Sequence, residues 1–277
     1  MTRKLSILAS ALLLTTAACN SETATPVNEA TATEAAADTI DGTWKADLAS
    51  AQIEEQPSVY LLKDGSYSCS TCVPPLTVAA DGAFHPVADR PYYDSMSVKV
   101  VDDKTVTTMR KKGDRVVDEA TMTLSADGNS LGISFTNSGT PGAPPVTGKV
   151  TETRVAPAPP GSHGVSGSWK TAKYDAVSDE GLTFSFRTDG DTLNMSSPSG
   201  QSYSATFGGP DAPIKGDTAG TVVSVERLAA NSIRETSKRD GKPVSVTTFT
   251  VGDDGKLSGV SENLVQKSTF RYTATRQ

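Results

Sequence analysis

The chain has 277 residues, and its 26 basic and 32 acidic side chains give a formal net charge of −6 at pH 7. An acidic chain argues against a nucleic-acid partner and against a polybasic membrane-binding surface. Its length allows one large or two small domains after an N-terminal leader.

The N-terminal segment has the layout of a secretory signal. Arg3 and Lys4 precede an apolar run at residues 5–14 that is too short to span a bilayer, and small residues lead to Cys19. Residues 16–19, Thr-Ala-Ala-Cys, resemble the bacterial lipobox, whose cysteine is diacylated, although the lipobox usually has Leu where this chain has Thr16. We expect a signal peptide at residues 1–18 and a lipid anchor at Cys19. The protein would then be exported and membrane-anchored in the cell envelope, on the periplasmic side or the outer membrane, with ordinary secretion as the alternative.

The segment that follows predicts a flexible tether. Residues 19–40 are rich in Ala and Thr, contain four acidic residues and have no aromatic residue. Such a segment cannot bury enough apolar surface to offset the entropy lost on ordering. We therefore expect the folded part to stand away from the membrane surface.

The rest of the chain repeats itself once. The two copies share opening and closing sequences: Gly42-Thr43-Trp44-Lys45 and Gly167-Ser168-Trp169-Lys170 at the start, Thr151-Glu152-Thr153-Arg154 and Thr273-Ala274-Thr275-Arg276 at the end. Between the ends, an offset of 127 aligns Asp127-Gly128 with Asp254-Gly255. We expect one β-domain at residues 41–155, a Pro/Gly linker at residues 156–166 and a second β-domain at residues 167–277.

The sequence pattern of each copy predicts an all-β fold. Apolar residues alternate with polar or small ones on both sides of Asp-Gly turns, which is a strong hairpin signal. The other turn signals are Asp64-Gly65, Asp81-Gly82, Asp189-Gly190 and Asp240-Gly241. Counting the runs between turns gives about eight strands per copy, so we expect two tandem antiparallel β-barrels, with β-sandwiches as the alternative.

The ends of each copy favour the barrel. A Gly-x-Trp in the first strand and an Arg at the end of the last strand resemble the lipocalin-like β-barrels, in which this Trp packs across the barrel floor against such an Arg. Closing a sheet brings its first and last strands together. We therefore expect Trp44 to meet Arg154 and Trp169 to meet Arg276, each as a cation–π pair.

Residues with possible chemistry are concentrated in the first copy. Cys69 and Cys72 have no counterpart in the second copy, and in an oxidising envelope they predict a disulfide. A zinc site would need two more ligands, of which His85 is one candidate. His85, Tyr92 and Tyr93 are candidates for proximity to a ligand or metal, although two adjacent strand residues point to opposite faces.

The functional expectation follows from the resemblance and from the absence of catalytic motifs. The sequence contains no Gly-x-Ser-x-Gly, no His-Glu-x-x-His and no phosphate-binding glycine loop, so we assign no catalytic residue, metal site or cofactor. The lipocalin resemblance implies a non-enzymatic protein that binds a small apolar or amphipathic ligand in each barrel. The alternative is a structural or assembly lipoprotein that acts through envelope proteins.

Overall fold

The computed structural model describes residues 39–277. Within them, the chain forms twenty strands and one short helix. The strands of the first copy are β1 (Gly42–Glu54), β2 (Ser58–Lys63), β3 (Ser66–Cys69), β4 (Leu76–Ala79), β5 (Asp81–Pro86), β6 (Ser95–Asp102), β7 (Thr105–Lys112), β8 (Arg115–Leu124), β9 (Ser130–Asn137) and β10 (Val146–Ala156). The elements of the second copy are β11 (Gly167–Val177), α1 (Asp179–Leu182), β12 (Thr183–Asp189), β13 (Thr192–Ser196), β14 (Ser202–Thr206), β15 (Ala212–Pro213), β16 (Val222–Ala229), β17 (Ser232–Arg239), β18 (Lys242–Val251), β19 (Leu257–Asn263) and β20 (Ser268–Arg276). No helix of this part of the chain is long and apolar enough to cross a membrane.

The strands form two antiparallel sheets of ten strands, each nearly closed into a barrel. The sheet called barrel 1 has the order β4-β3-β2-β11-β10-β9-β8-β7-β6-β5, and barrel 2 has the order β14-β13-β12-β1-β20-β19-β18-β17-β16-β15. The edges approach each other, because β4 lies beside β5 and β6, and β14 lies beside β15 and β16. The predicted all-β barrel fold is confirmed. The predicted number of about eight strands is too low, because strands as short as β15 leave no alternating pattern to count.

The two copies exchange their first strands. β1 belongs to the first copy but pairs with β12 and β20 of the second, and β11 belongs to the second copy but pairs with β2 and β10 of the first. Each barrel therefore contains nine strands of one copy and the first strand of the other.

Because of this exchange, each tryptophan contacts the arginine of the other copy and not that of its own copy. The guanidinium carbon of Arg276 lies 4.3 Å from the ring centroid of Trp44, and that of Arg154 lies 4.1 Å from the ring centroid of Trp169. The expectation that Trp44 meets Arg154 and Trp169 meets Arg276 is wrong. The type of contact is as expected, since a first strand meets a last strand in each barrel, but the two strands come from different copies.

The glycine of each Gly-x-Trp makes room for its arginine. Gly42 has φ 135° and Gly167 has φ 137°, a region that side chains rarely adopt. A Cβ atom at Gly42 would overlap the guanidinium of Arg276, and one at Gly167 would overlap that of Arg154. The sequence motif thus corresponds to a three-residue unit of glycine, buried indole and stacked guanidinium.

Two of the predicted Asp-Gly turns have the expected hairpin geometry. Asp64 and Gly65 have φ 50° and 71°, and Asp240 and Gly241 have φ 49° and 72°. Positive φ at both central residues is the signature of a type I′ turn, whose twist matches that of paired strands. These turns join β2 to β3 and β17 to β18.

The barrels face each other through their open ends. We call the end with the buried tryptophan the floor and the opposite end the mouth. β1 runs from Gly42 at the floor of barrel 2 to Glu54 at its mouth. Three residues then lead to β2, whose first residue, Ser58, pairs with Trp169 of barrel 1. β11 runs from Gly167 at the floor of barrel 1 to Val177, and α1 connects it to β12, whose first residue, Thr183, pairs with Lys45 of β1 in barrel 2. The Arg239 Nη2 atom of barrel 2 donates a 2.7 Å hydrogen bond to the Tyr92 hydroxyl of barrel 1 across this junction.

Candidate ligand-binding site

The floor of each barrel is filled by side chains. Trp44 and Trp169 are fully buried, and their Nε1 atoms donate hydrogen bonds to the carbonyls of Ile40 and Val165. Two separate apolar clusters surround them, one in each barrel. A ligand therefore has to be accommodated above the floors.

An apolar cleft lies where the two mouths meet. Its volume is about 340 Å³, and both barrels contribute to its walls. Five aromatic side chains line it: Phe135, Tyr174, Phe184, Phe270 and Tyr272. A volume of this size lies at the lower end of the range for small-molecule sites, roughly 300–1,000 Å³, and aromatic lining is typical of them.

The aromatic rings form a continuous series from the cleft into barrel 2. Tyr174 meets Phe270 edge-on with centroids 5.8 Å apart, and Phe270 lies 5.5 Å from Tyr272. Tyr272 contacts Phe184, which in turn lies 5.8 Å from the buried Phe249. Edge-to-face and tilted contacts of this kind fix the ring orientations, so the walls of the cleft are preformed.

Two glycines allow cleft rings to lie flat against the sheets. A Cβ atom at Gly148 would overlap the ring of Phe135, which is its cross-strand partner. A Cβ atom at Gly259 would likewise overlap the ring of Tyr272, its partner on β20. An aromatic side chain covering a strand glycine replaces the packing that the glycine lacks.

The interior of barrel 1 contains a buried carboxyl group. Glu152 on β10 is 7% exposed, and its Oε2 atom has no hydrogen-bond partner among residues 39–277. Burial, with a smaller contribution from the charge of Glu55, raises the pKa of Glu152 to about 7. Leaving a buried polar atom unpaired is costly, which marks this position as one to explain.

Tyrosines and one ion pair also contribute polar groups to the interior of barrel 1. The rings of Tyr60 and Tyr67 are stacked with centroids 6.2 Å apart, and burial raises the pKa of both phenols, that of Tyr60 to about 12. Arg110 donates a 2.8 Å hydrogen bond to Asp118, and its guanidinium carbon lies 5.2 Å from the ring centroid of Tyr93. The charge of Arg110 is thus balanced within the barrel.

Barrel 2 has a different carboxyl group in its interior, and this one is only partly buried. Burial raises the pKa of Glu235 on β17 to about 7, although the hydrogen bond that the Tyr203 hydroxyl donates to this carboxylate acts in the opposite direction. Unlike Glu152, Glu235 has a side-chain partner. The two barrels therefore differ in the polar groups that they enclose.

The structure confirms the predicted cysteine pair. Cys69 and Cys72 form a disulfide with their Cα atoms 5.4 Å apart, at the mouth end of β3. The pair therefore has no free thiolate to offer a metal.

His85, Tyr92 and Tyr93 do not converge on one site. The Nε2 atom of His85 lies 2.9 Å from Asp81 on β5. Tyr92 is 45% exposed and turns towards Arg239, whereas Tyr93 packs against the core of barrel 1. Both tyrosines lie in the loop between β5 and β6, so the expectation that treated them as adjacent strand residues is wrong about their secondary structure.

The remaining predicted site residue is Cys19, which lies outside the described residues, as do the signal peptide and most of the tether.

Glu152 and the aromatic residues of the cleft were not predicted from the sequence. One signal for Glu152 was available, because it interrupts an otherwise similar closing sequence at the place where the second copy has Ala274. The cleft residues gave no such signal, since they come from strands far apart in the chain.

Comparisons with protein-family models, with curated proteins and with solved structures give no match.

Proposed function

We propose that this protein is a non-enzymatic binding protein that holds a small apolar or amphipathic ligand in the cleft between the two barrel mouths. The observation that supports this best is the cleft of about 340 Å³ with five aromatic side chains on its walls. Burying an apolar molecule there removes apolar surface from water on both sides, at roughly 25 cal/mol per Å². The proposed place differs from the sequence-based expectation, which put one ligand in each barrel.

The proposal includes the compartment and the family. The lipobox-like residues before Cys19 support a lipid-anchored protein of the bacterial cell envelope, exported by its signal peptide. The nearly closed barrels with a Trp–Arg contact at each floor support a lipocalin-like relationship. In this proposal the lipid anchor keeps the barrels within the length of the tether from the membrane, where apolar and amphipathic molecules are abundant.

Fluorescence titration with N-phenyl-1-naphthylamine tests the binding proposal. The probe is apolar and fluoresces strongly when it leaves water, so we expect saturable enhancement with the native protein. Phe270→Ala removes a cleft wall and is expected to weaken binding about tenfold, by analogy with the loss of a buried aromatic contact. Phe84→Ala is the matched control, because Phe84 is a partly buried ring that lies on β5 under Lys111, outside the cleft.

Two outcomes would contradict the proposal. The probe could fail to bind the native protein, or it could bind Phe270→Ala and Phe84→Ala with equal affinity. Native mass spectrometry of protein purified from a periplasm gives an independent readout, since a bound ligand adds mass that is lost on denaturation. A bare mass together with co-purifying envelope proteins would favour the structural or assembly function instead.

A further inference from the structure

The junction of barrel 1 with the cleft contains two carboxyl groups that lack a basic partner. Glu152 is buried with a free Oε2 atom, and Glu55 lies just after β1, where its Oε1 atom accepts a 2.8 Å hydrogen bond from the Thr171 N–H. Within residues 39–277, neither glutamate takes part in a salt bridge. Thr171, whose N–H donates to the Glu55 carboxylate, is the cross-strand partner of Glu152, so the two carboxyl groups lie on neighbouring chain segments. The charge of Glu55 contributes, after burial, to the raised pKa of Glu152.

Two tyrosines pair with the strands that carry or adjoin these carboxyl groups: Tyr174 with Val150 of β10, and Tyr60 with Gly167 of β11. The charges of Glu152 and Glu55 both contribute, after burial, to the raised pKa of Tyr60 and of Tyr174. Tyr174 is also a wall of the apolar cleft. Its partner Val150 lies two residues before Glu152 on β10, so this tyrosine connects the strand of the buried carboxyl group to the wall of the cleft.

The balance of charge at this place is negative. Arg110 is the basic group that acts on Tyr60, and it is paired with Asp118. Lys173, the basic residue next to Tyr174 in sequence, forms its salt bridge with Asp175. Barrel 2 has Ala274 in place of Glu152, so the feature belongs to barrel 1 alone.

We propose that Glu152, Glu55, Tyr60 and Tyr174 form a site for a primary ammonium group, so that the ligand of the cleft is an amphiphile with an amine head. An ammonium group donates hydrogen bonds, which the free Oε2 atom of Glu152 can accept, and a bond between charged groups is stronger than one between neutral groups. Aromatic ring faces attract the same cation. The alkyl tail of the ligand occupies the apolar cleft. The ammonium site therefore rests on the binding function proposed above.

Calorimetric titration with a series of octyl ligands tests this assignment. Octylammonium, octanol and octanoate share one tail, and octyltrimethylammonium keeps the positive charge but has no N–H donor. We expect octylammonium to bind roughly tenfold or more tighter than octanol, as one charge-assisted hydrogen bond predicts. Octyltrimethylammonium should fall between them, and octanoate should bind weakest.

Glu152→Gln should reduce the affinity for octylammonium to that for octanol and leave octanol binding unchanged. Glu119→Gln is the matched control, because Glu119 is an exposed carboxylate on β8 of the same barrel, and it should retain the full preference. Thermal melts of both variants establish that they are folded.

The outcomes separate the two proposals. If every octyl ligand binds with similar affinity, or if Glu152→Gln keeps the preference for octylammonium, the ammonium site is refuted while the cleft remains a ligand site. If none of them binds, the proposed function fails and the ammonium site fails with it.

Discussion

The guanidinium of Arg276, in the last strand of the second copy, stacks on the indole of Trp44, in the first strand of the first copy. The mirror contact joins Arg154 to Trp169. The floor of each barrel is therefore built from both copies of the repeat. A substitution in the first strand of one copy should destabilise the barrel that is formed mainly by the other copy.

Replacing Trp44 tests this exchange directly. Trp44→Ala removes a fully buried indole from barrel 2, and large-to-small changes of this kind cost about 3–5 kcal/mol. Hydrogen exchange measured by mass spectrometry should show lost protection in β12 and β20 and retained protection in β10. Trp169→Ala should give the reverse pattern. If Trp44→Ala instead exposed β10, the exchange of strands would be refuted.

Gly42 is expected to tolerate no side chain. Gly42→Ala places a Cβ atom at φ 135° against the guanidinium of Arg276, so we expect a loss of about 1–3 kcal/mol in the free energy of unfolding. Gly132→Ala is the control, because its nearest neighbour would be a backbone oxygen 3.8 Å away. Urea denaturation of both variants measures the difference, and equal stability of the two would contradict the role given to Gly42.

The buried glutamates predict a stability that falls as the pH rises. The folded state raises the pKa of Glu152 from 4.5 to about 7, so between these values the folded protein holds a proton that the unfolded chain releases. The contribution of Glu152 is therefore most favourable below pH 4.5, declines through the interval and is fully lost above pH 7. At 1.36 kcal/mol per unit, the loss is at most about 3 kcal/mol.

Urea denaturation at a series of pH values measures this effect. Glu152→Gln should flatten the decline between pH 5 and pH 8 and make the variant more stable than the native protein at pH 8. Glu235→Gln should act in the same direction, since burial raises the pKa of that group as well. The exposed Glu119→Gln should keep the native slope, and a native profile in Glu152→Gln would contradict the assignment.

Reduction of the disulfide should have a small and local effect. Cys69 and Cys72 are three residues apart, and closing so short a loop restricts the unfolded chain by about 2 kcal/mol at most. Calorimetry with and without a phosphine reductant should show this decrease, and exchange protection should change in β3 and β4 but not in β13 and β14. A loss of protection in barrel 2 would contradict a purely local role.

Local patterns in the sequence predicted the local structure. The Asp-Gly pairs at 64–65 and 240–241 form hairpins because positive φ is required at both positions of their turns. The glycine, tryptophan and arginine at the copy ends form the floor contacts because a barrel brings its end strands together.

The exchange of strands could not be predicted in this way, because the two copies offer chemically equivalent partners. Trp44 can stack on either arginine, and pair energies alone do not choose between them. β1 itself indicates the choice. Its thirteen residues continue past a bulge between Asp47 and Gln52 to Glu54, and only three residues ending in Pro57 precede β2. A fold-back hairpin would need a tight turn in this stretch, and none of the usual Asp-Gly or Asn-Gly pairs occurs there. The cleft depends on the strand exchange, so its position could not be predicted from the sequence for the same reason.

The strand exchange also changes what the linker does. Residues 157–161, between β10 and β11, are mostly exposed, yet the halves of the chain on either side of them share both sheets. A protease cut at this linker would yield two fragments that remain interlocked, each completing the barrel of the other. The molecule thus has the topology of a strand-exchanged dimer whose protomers are joined by a single peptide, and its two halves make one another's folds complete.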